Sequence, residues 1–336
     1  MRPLFFLSRL LQLIPVLLGV AVFVFLLMHI TPGDPVELML GQAGHVTAEE
    51  IATLRHQYGL DRPIHVQFGS FIGKAARGDF GMSFIHQQPV STVIASRLPA
   101  TIELTVLSLI LAIVIAVPIG VISAVRQYSI TDKMGTLAAL LGVSMPGFWL
   151  GIVLIIIFAV KLRWLPTSGR IDFGVGLERI TGFYILDSLL TRNWAALSSS
   201  VRHLILPAIT LSAAMCAVSM RMIRSGMLEV IRQDYILYAR AKGLPESSVI
   251  LKHALRNALI PAITVIAVQT GLLLSGNMII ETVFGWPGVG RLAVSAIEAR
   301  NYPLVQGVVL LYAVSYALLN LTADLLYGLL NPKIET

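Results

Sequence analysis

The chain has 336 residues, of which 56% are hydrophobic and 13% charged, leaving too few polar groups to cover a soluble globule of that size. Its 25 Lys and Arg against 18 Asp and Glu give a net charge of +7, yet the bases are dispersed along the flanks of apolar stretches, which argues for membrane topology and against nucleic acid as a partner. A single cysteine, Cys216, excludes a disulfide within the chain.

A hydrocarbon core of roughly 30 Å takes about 20 apolar residues in a helix, because lipid offers unpaired backbone groups no partner. Six stretches meet that requirement: residues 10–30, 105–125, 134–160, 204–220, 258–280 and 304–323, the fourth being the shortest. Ten-residue segments of alternating polarity, the mark of an outer-membrane barrel, are absent. The first stretch follows Arg2 and Arg9 as a signal peptide would, but it outruns an ordinary apolar signal region and passes into Thr31-Pro32-Gly33-Asp34-Pro35 without a small-x-small cleavage site. It reads as a retained anchor in contact with the lipid bilayer.

The loop from 31 to about 100 carries its own helix signals. Thr47 and Glu50 form a capping box ahead of Ile51, Leu54 and Tyr58, with Gly59 to end that helix. After Pro63, the residues Ile64, Phe68, Phe71, Ile72 and Ala75 recur at helical spacing. These two helices read either as surface elements packed on the bundle or as a platform for an external partner. In the second span Ala112, Ala116, Gly120 and Ala124 put small residues on one face, which permits close helix contact. Pro118 and Pro146 interrupt the second and third spans. The second outer loop, 161–203, holds Trp164, Pro166, Gly169, Phe183, Tyr184 and Trp194 and reads as folded or interfacial.

Segment 221–257 is the polar exception. Its seven bases, with Arg126 and Lys133 in the preceding short loop, favour a cytoplasmic placement of these loops and of both termini. A helix carrying Arg232, Asp234, Tyr238 and Arg240 is expected before Gly243, and a second from Pro245 and Glu246, with the small Ala239 and Ala241 letting a partner surface approach. Charge anchoring alone accounts for the bases but not for this helix–Gly–helix order.

Polar groups at membrane depth are candidates for a pathway because their burial is costly unless they pair or meet water. Gln269, Ser275, Asn277 and Glu281 fall at the end of the fifth span, and Asn320 and Asp324 near the end of the sixth. Asn277 and Glu281 share a helical face with position 273, so Gln269, Asn277 and Glu281 are the candidate pathway-lining residues; the alternative is that Glu281 and Asp324 reach the two interfaces. Enzyme motifs are missing. Gly73-Lys74-Ala75 lacks the earlier Gly and the hydroxyl of a phosphate loop, no His-Glu-x-x-His or Gly-x-Ser-x-Gly occurs, and the seven histidines lack metal-ligand spacing.

Ordered motifs then carry a resemblance. They are Pro32-Gly33-Asp34-Pro35, Tyr58-Gly59-Leu60-Asp61 with Pro63, Gly78-Asp79-Phe80-Gly81 with Ser83, Leu98-Pro99-Ala100-Thr101-Ile102-Glu103-Leu104, Asp234-Tyr235, Ala239-Arg240-Ala241-Lys242-Gly243-Leu244, His253-Ala254-Leu255-Arg256-Asn257-Ala258 with Pro261, Trp286-Pro287-Gly288-Val289-Gly290-Arg291, Tyr302-Pro303 and Asn331-Pro332. Over nearly its whole length the chain resembles the inner-membrane permease subunits of ABC importers for dipeptides and oligopeptides, and in related branches nickel or glutathione.

The resemblance implies an all-α polytopic membrane protein with six transmembrane helices in the type I ABC importer permease fold. Residues 1–97 would form the first transmembrane helix and a folded periplasmic loop, 98–328 a five-helix domain with the coupling loop 221–257, and 329–336 a cytoplasmic tail. In the family's Glu-Ala-Ala-x-x-x-Gly motif, which the ATPase subunit grips, Leu237, Tyr238 and Ala239 take the first three places and Gly243 the last; Ala239 and Gly243 match it. Tyr238, Ala239, Arg240, Ala241, Lys242 and Gly243 are therefore the expected ATPase-coupling residues. Implied partners are a second homologous permease subunit, two ABC ATPase subunits that bind ATP and Mg, and a periplasmic substrate-binding protein; no cofactor is expected in this chain. Thr181-Gly182-Phe183-Tyr184 and Leu186-Asp187 resemble the dipeptide branch. A stand-alone secondary transporter is the reading of another class; it predicts an internal inverted repeat and buried ionisable pairs, and the sequence displays neither.

Overall fold

The structure, a computed structural model, describes residues 3–30, 53, 55–56, 61–274 and 278–330. The expected helix at 47–58 lies almost wholly outside the described residues, as do Ser275 and Asn277 and the side chain of Asp324. Helix α1 spans Pro3–Ile30. The amphipathic segment after Pro63 forms α2, Ile64–Ala75, and sets Phe68 and Phe71 against Phe25 of α1, with ring centroids 5.3 and 5.8 Å away. A two-residue hairpin, β1 (Met82–Ser83) with β2 (Gln88–Pro89), leads into α3, Val90–Val125. This helix crosses the expected 97/98 boundary unbroken.

The third span is broken. Helix α4, Ile130–Ser144, and helix α5, Gly147–Leu154, which continues as a π-helical turn Ile155–Lys161, meet at 106°. Pro146 is the cause, because its ring pushes the preceding residue out of the helical region, and Met145 sits at φ −85°, ψ 128°. Pro118 does not act this way and lies inside the continuous α3.

A short helix α6, Tyr184–Leu190, lies within the segment 161–203, and then α7, Trp194–Val230, forms the axis of the bundle. The expected shortest span is thus the longest helix, 37 residues and about 55 Å, because its apolar middle continues as helix through the serines before it and the arginines after it. Next come α8, Asp234–Ala241, a lead-in at Glu246–Ser248 and Val249–Ala254, α9 (Leu255–Leu274), α10 (Met278–Val283), α11 (Val289–Glu298) and α12 (Tyr302–Leu330). Among the described residues, the helical stretches 11–30, 90–125, 194–230, 246–271 and 302–322 are each long and apolar enough to cross a membrane, and the bent pair α4–α5, taken as one span, makes six.

Small residues let these helices touch. Ala112, Ala116 and Ala124 are buried, and a Cβ on Gly120 would lie 3.0 Å from both the Ile223 Cβ and the Met220 carbonyl oxygen of α7. On α7 itself, a Cβ at Gly226 would come within 2.8 Å of the Ala258 carbonyl oxygen of α9. The small-residue face thus seats α3 on α7 at backbone contact distance, where dispersion contacts and close helix packing replace a hydrophobic drive that lipid does not supply.

Candidate functional site

At the end of the bundle where α7 stops, three residues of turn lead into α8. Ile236 and Ala239 face inward and join a buried cluster with Val230, Val249, Ala254 and Ala258, which fixes the helix to the ends of α7 and α9. Leu237 and Tyr238 point out, 54% and 62% exposed. Ala239 therefore serves the internal seat and does not present a surface, whereas Ala241 is exposed as expected. Arg232 belongs to the preceding turn and lies outside the helix.

The helix ends through backbone geometry. Gly243 adopts φ +77°, its N–H donates to the Arg240 carbonyl at 2.9 Å, and the Leu244 N–H reaches back to the Ala239 carbonyl at 3.4 Å, the paired pattern of a Schellman stop. Three side-chain contacts hold this turn. Arg240 donates to both carboxylate oxygens of Glu246 at 2.7 and 3.1 Å, Lys242 lies 4.6 Å over the Tyr238 ring, and Asn257 donates to the Tyr235 hydroxyl at 2.6 Å. Tyr238, Ala239, Arg240, Ala241, Lys242 and Gly243 are thus one compact unit with a defined outward face. The segment read as a loop, 221–257, is mostly helix, with α7 running on to Val230 and helix resuming at Glu246.

The polar face of the fifth span is arranged differently from expectation. Gln269 lies half-buried on α9. Glu281 stands on the separate helix α10, only 1% exposed, and faces inward rather than into an open pathway. Its carboxylate accepts the Thr101 hydroxyl at 2.8 Å and the Arg291 N–H at 2.9 Å, and the backbone of Gly288 lies directly against it. A pathway-lining role does not fit that enclosure, since both oxygens are taken by the chain's own donors.

Around Glu281 the structure assembles a polar knot that no single stretch of sequence displays. The Trp286 indole N–H donates to the Ala100 carbonyl at 2.9 Å, and the Val289 N–H donates to the Thr101 hydroxyl at 2.8 Å. One turn along α3, Glu103 accepts Arg170 at 2.6 Å and the Ile185 N–H at 2.8 Å, while the Arg170 guanidinium lies 3.8 Å over the Tyr184 ring. Asp187 accepts the Thr181 N–H and hydroxyl at 2.8 and 2.6 Å and the Gly182 N–H at 2.9 Å. Burial pushes the Asp187 carboxyl up, but these donors outweigh it and hold the group below the usual carboxylate range. Along α3, which is about 54 Å long, the knot at residues 100–103 lies toward the start of the helix, opposite the end that carries α8. The motifs at 98–104 and 286–291 therefore meet in space, and Arg170, Gly182 and Ile185 of the 161–203 segment join them.

A family model described as "Binding-protein-dependent transport system inner membrane component" matches residues 116–336, and one described as "Binding-prot-dependent transport system membrane comp, N-term" matches residues 3–105. The chain is 43% identical over 331 residues to a di/tripeptide transport system permease protein of Pseudomonas aeruginosa (strain UCBPP-PA14), covering 98% of both chains. It is 43% identical over 329 residues to a glutathione transport system permease protein of Salmonella typhimurium, and over 334 residues to a dipeptide transport system permease protein of Escherichia coli (strain K12), again covering 98% of each chain.

Proposed function

The chain belongs to the family of binding-protein-dependent transport system inner membrane components, and on that premise we propose that it forms half of the translocation pathway of an ATP-driven ABC importer for dipeptides or short oligopeptides. A second, homologous permease subunit forms the other half, two ATPase subunits bind ATP and Mg below it, and a periplasmic binding protein delivers the cargo. Both termini face the cytoplasm, and the chain hydrolyses no nucleotide itself.

The observation that supports this reading is α8. Its inward residues, Ile236 and Ala239, bind it to the ends of α7 and α9, and its outward residues, Leu237 and Tyr238, are large apolar groups on a charged, water-facing segment. Such a patch on a polar rim suits a protein partner. A partner that moves α8 moves both helices, so ATP-driven motion has a direct route into the bundle. Gln269 lies on one of those helices and is the remaining described candidate for the pathway. The cargo assignment rests on relatives named for di/tripeptides, dipeptides and glutathione, which share the chemistry of a short peptide.

The test is uptake of a labelled dipeptide into vesicles holding the complete transporter, with and without ATP inside. ATP-dependent uptake that competes with unlabelled di- and tripeptides is expected. Uptake by this chain alone on an ion gradient would establish a secondary transporter in its place.

A further inference from the structure

Arg224 does more than mark the end of a span. It sits on α7, six residues before that helix ends beside α8, and its Nε and Nη2 donate at 2.7 and 2.8 Å to the two carboxylate oxygens of Asp132 in the first turn of α4. Asp132 is 3% exposed and also accepts the Tyr128 N–H at 2.9 Å, while its own N–H is capped by the Ser129 hydroxyl. That contact holds Tyr128 at φ +64°, a left-handed conformation unusual for a tyrosine. An arginine needed only for topology requires no buried carboxylate. Arg224 is partly exposed while Asp132 is buried, and such a pair is weak evidence for stability, so its yield is geometric: a bidentate fork sets the relative position of two helices.

The two helices are joined along their length as well. A Cβ at Gly135 would come within 2.9 Å of the Met220 methyl carbon, and one at Gly142 within 3.2 Å of the Ala213 carbonyl oxygen. The contacts pair 132 with 224, 135 with 220 and 142 with 213, an antiparallel register in which α4 lies flush on α7. Helix α4 then stops at the 106° bend at Met145–Pro146, beyond which α5 makes its own contact with α7, a Cβ at Gly151 lying 3.4 Å from the Thr210 side chain.

From this geometry we infer that Arg224 and Asp132 are positioning residues that make α4 follow the motion of α8 and deliver it to the Met145–Pro146 bend. The inference rests on the ATP-coupled reading above. In the complete reconstituted transporter, Asp132→Asn and Arg224→Lys remove the fork while keeping size or charge, and each is expected to lower uptake per ATP hydrolysed about tenfold, within the usual range of coupling between sites. The ATPase subunits should still co-purify with both variants.

A readout that a merely structural role would not move comes from spin-label distances to exposed Phe173, measured from exposed Leu140 on α4 and from exposed Glu229 at the end of α7. ATP should shift both distances in the unsubstituted chain and only the Glu229 distance in the variants. Equal Leu140 shifts in all three proteins would overturn the inference and leave the transport reading standing. No Glu229 shift in the unsubstituted chain would overturn both.

Discussion

Replacing Gly243 tests whether α8 couples through its backbone turn. A Cβ at this position meets nothing within 4 Å, so a side chain here has no steric cost within the chain, and the whole penalty comes from φ +77°. For an ordinary residue the left-handed conformation costs about 1–2 kcal/mol, enough to reduce the population of the native turn by a factor of roughly 5–30. Asn tolerates this region better than Ala, and a β-branched residue worse. Uptake per ATP hydrolysed in vesicles holding the complete transporter should therefore fall in the order Gly, Asn, Ala, Val. Circular dichroism should detect no loss of helix beyond α8, because the longer helices do not depend on this turn. If the loss follows side-chain volume instead, with Asn as damaging as Val, then a partner surface lies against Gly243 and the backbone argument is wrong.

Other perturbations have distinct signatures. Gly226→Ala drives a methyl group against the Ala258 carbonyl and should destabilise the protein by about 1–3 kcal/mol, read as a lower melting temperature in detergent, whereas Gly19→Ala, with no atom within 4 Å, should be neutral or stabilising. Arg170→Met strands the buried Glu103 carboxylate and should cost about 3–5 kcal/mol by the same measurement, with the additional change Glu103→Gln recovering part of the loss. Because the Asp187 carboxyl is held below its ordinary range, its contribution to stability is complete above the unfolded-state value and is lost as pH falls through the lower folded-state value. Protease cleavage within 168–187 should thus rise on acidification through that window in the unsubstituted chain, and Asp187→Asn should show high cleavage already at neutral pH. Trp286→Phe leaves the Ala100 carbonyl without its donor and should cost about 1 kcal/mol, seen as a small drop in melting temperature.

Much of the fold is legible without coordinates. The length of the apolar stretches marks where the chain crosses the bilayer, because a helix is the form in which a lone segment satisfies its own backbone in lipid. The small face at 112–124 is the face that meets α7, and Gly243 ends α8 as its lack of a Cβ allows. Helix ends are less legible: α7 extends well past its apolar middle at both ends, since polarity ends a membrane crossing but not a helix. The bend in the third span has a sequence signal, Pro146, but Pro118 carries the same signal and bends nothing to break α3.

What the amino-acid order determines by itself is local: membrane class, the span pattern, the outward polar segment with its glycine stop, and the motifs that tie the chain to its family. Only the tertiary structure decides where the polar groups inside it point. Helical periodicity puts Glu281 on one face with Asn277, yet Glu281 turns inward to Thr101, 180 residues away, and Arg170 to Glu103 and Arg224 to Asp132 are joined across 67 and 92 residues. Periodicity reports which face of a helix a residue occupies, whereas the partner on that face is set by how separate helices pack. The cost of burying an unpaired charge makes those long-range partners obligatory, and the fold decides which ones they are.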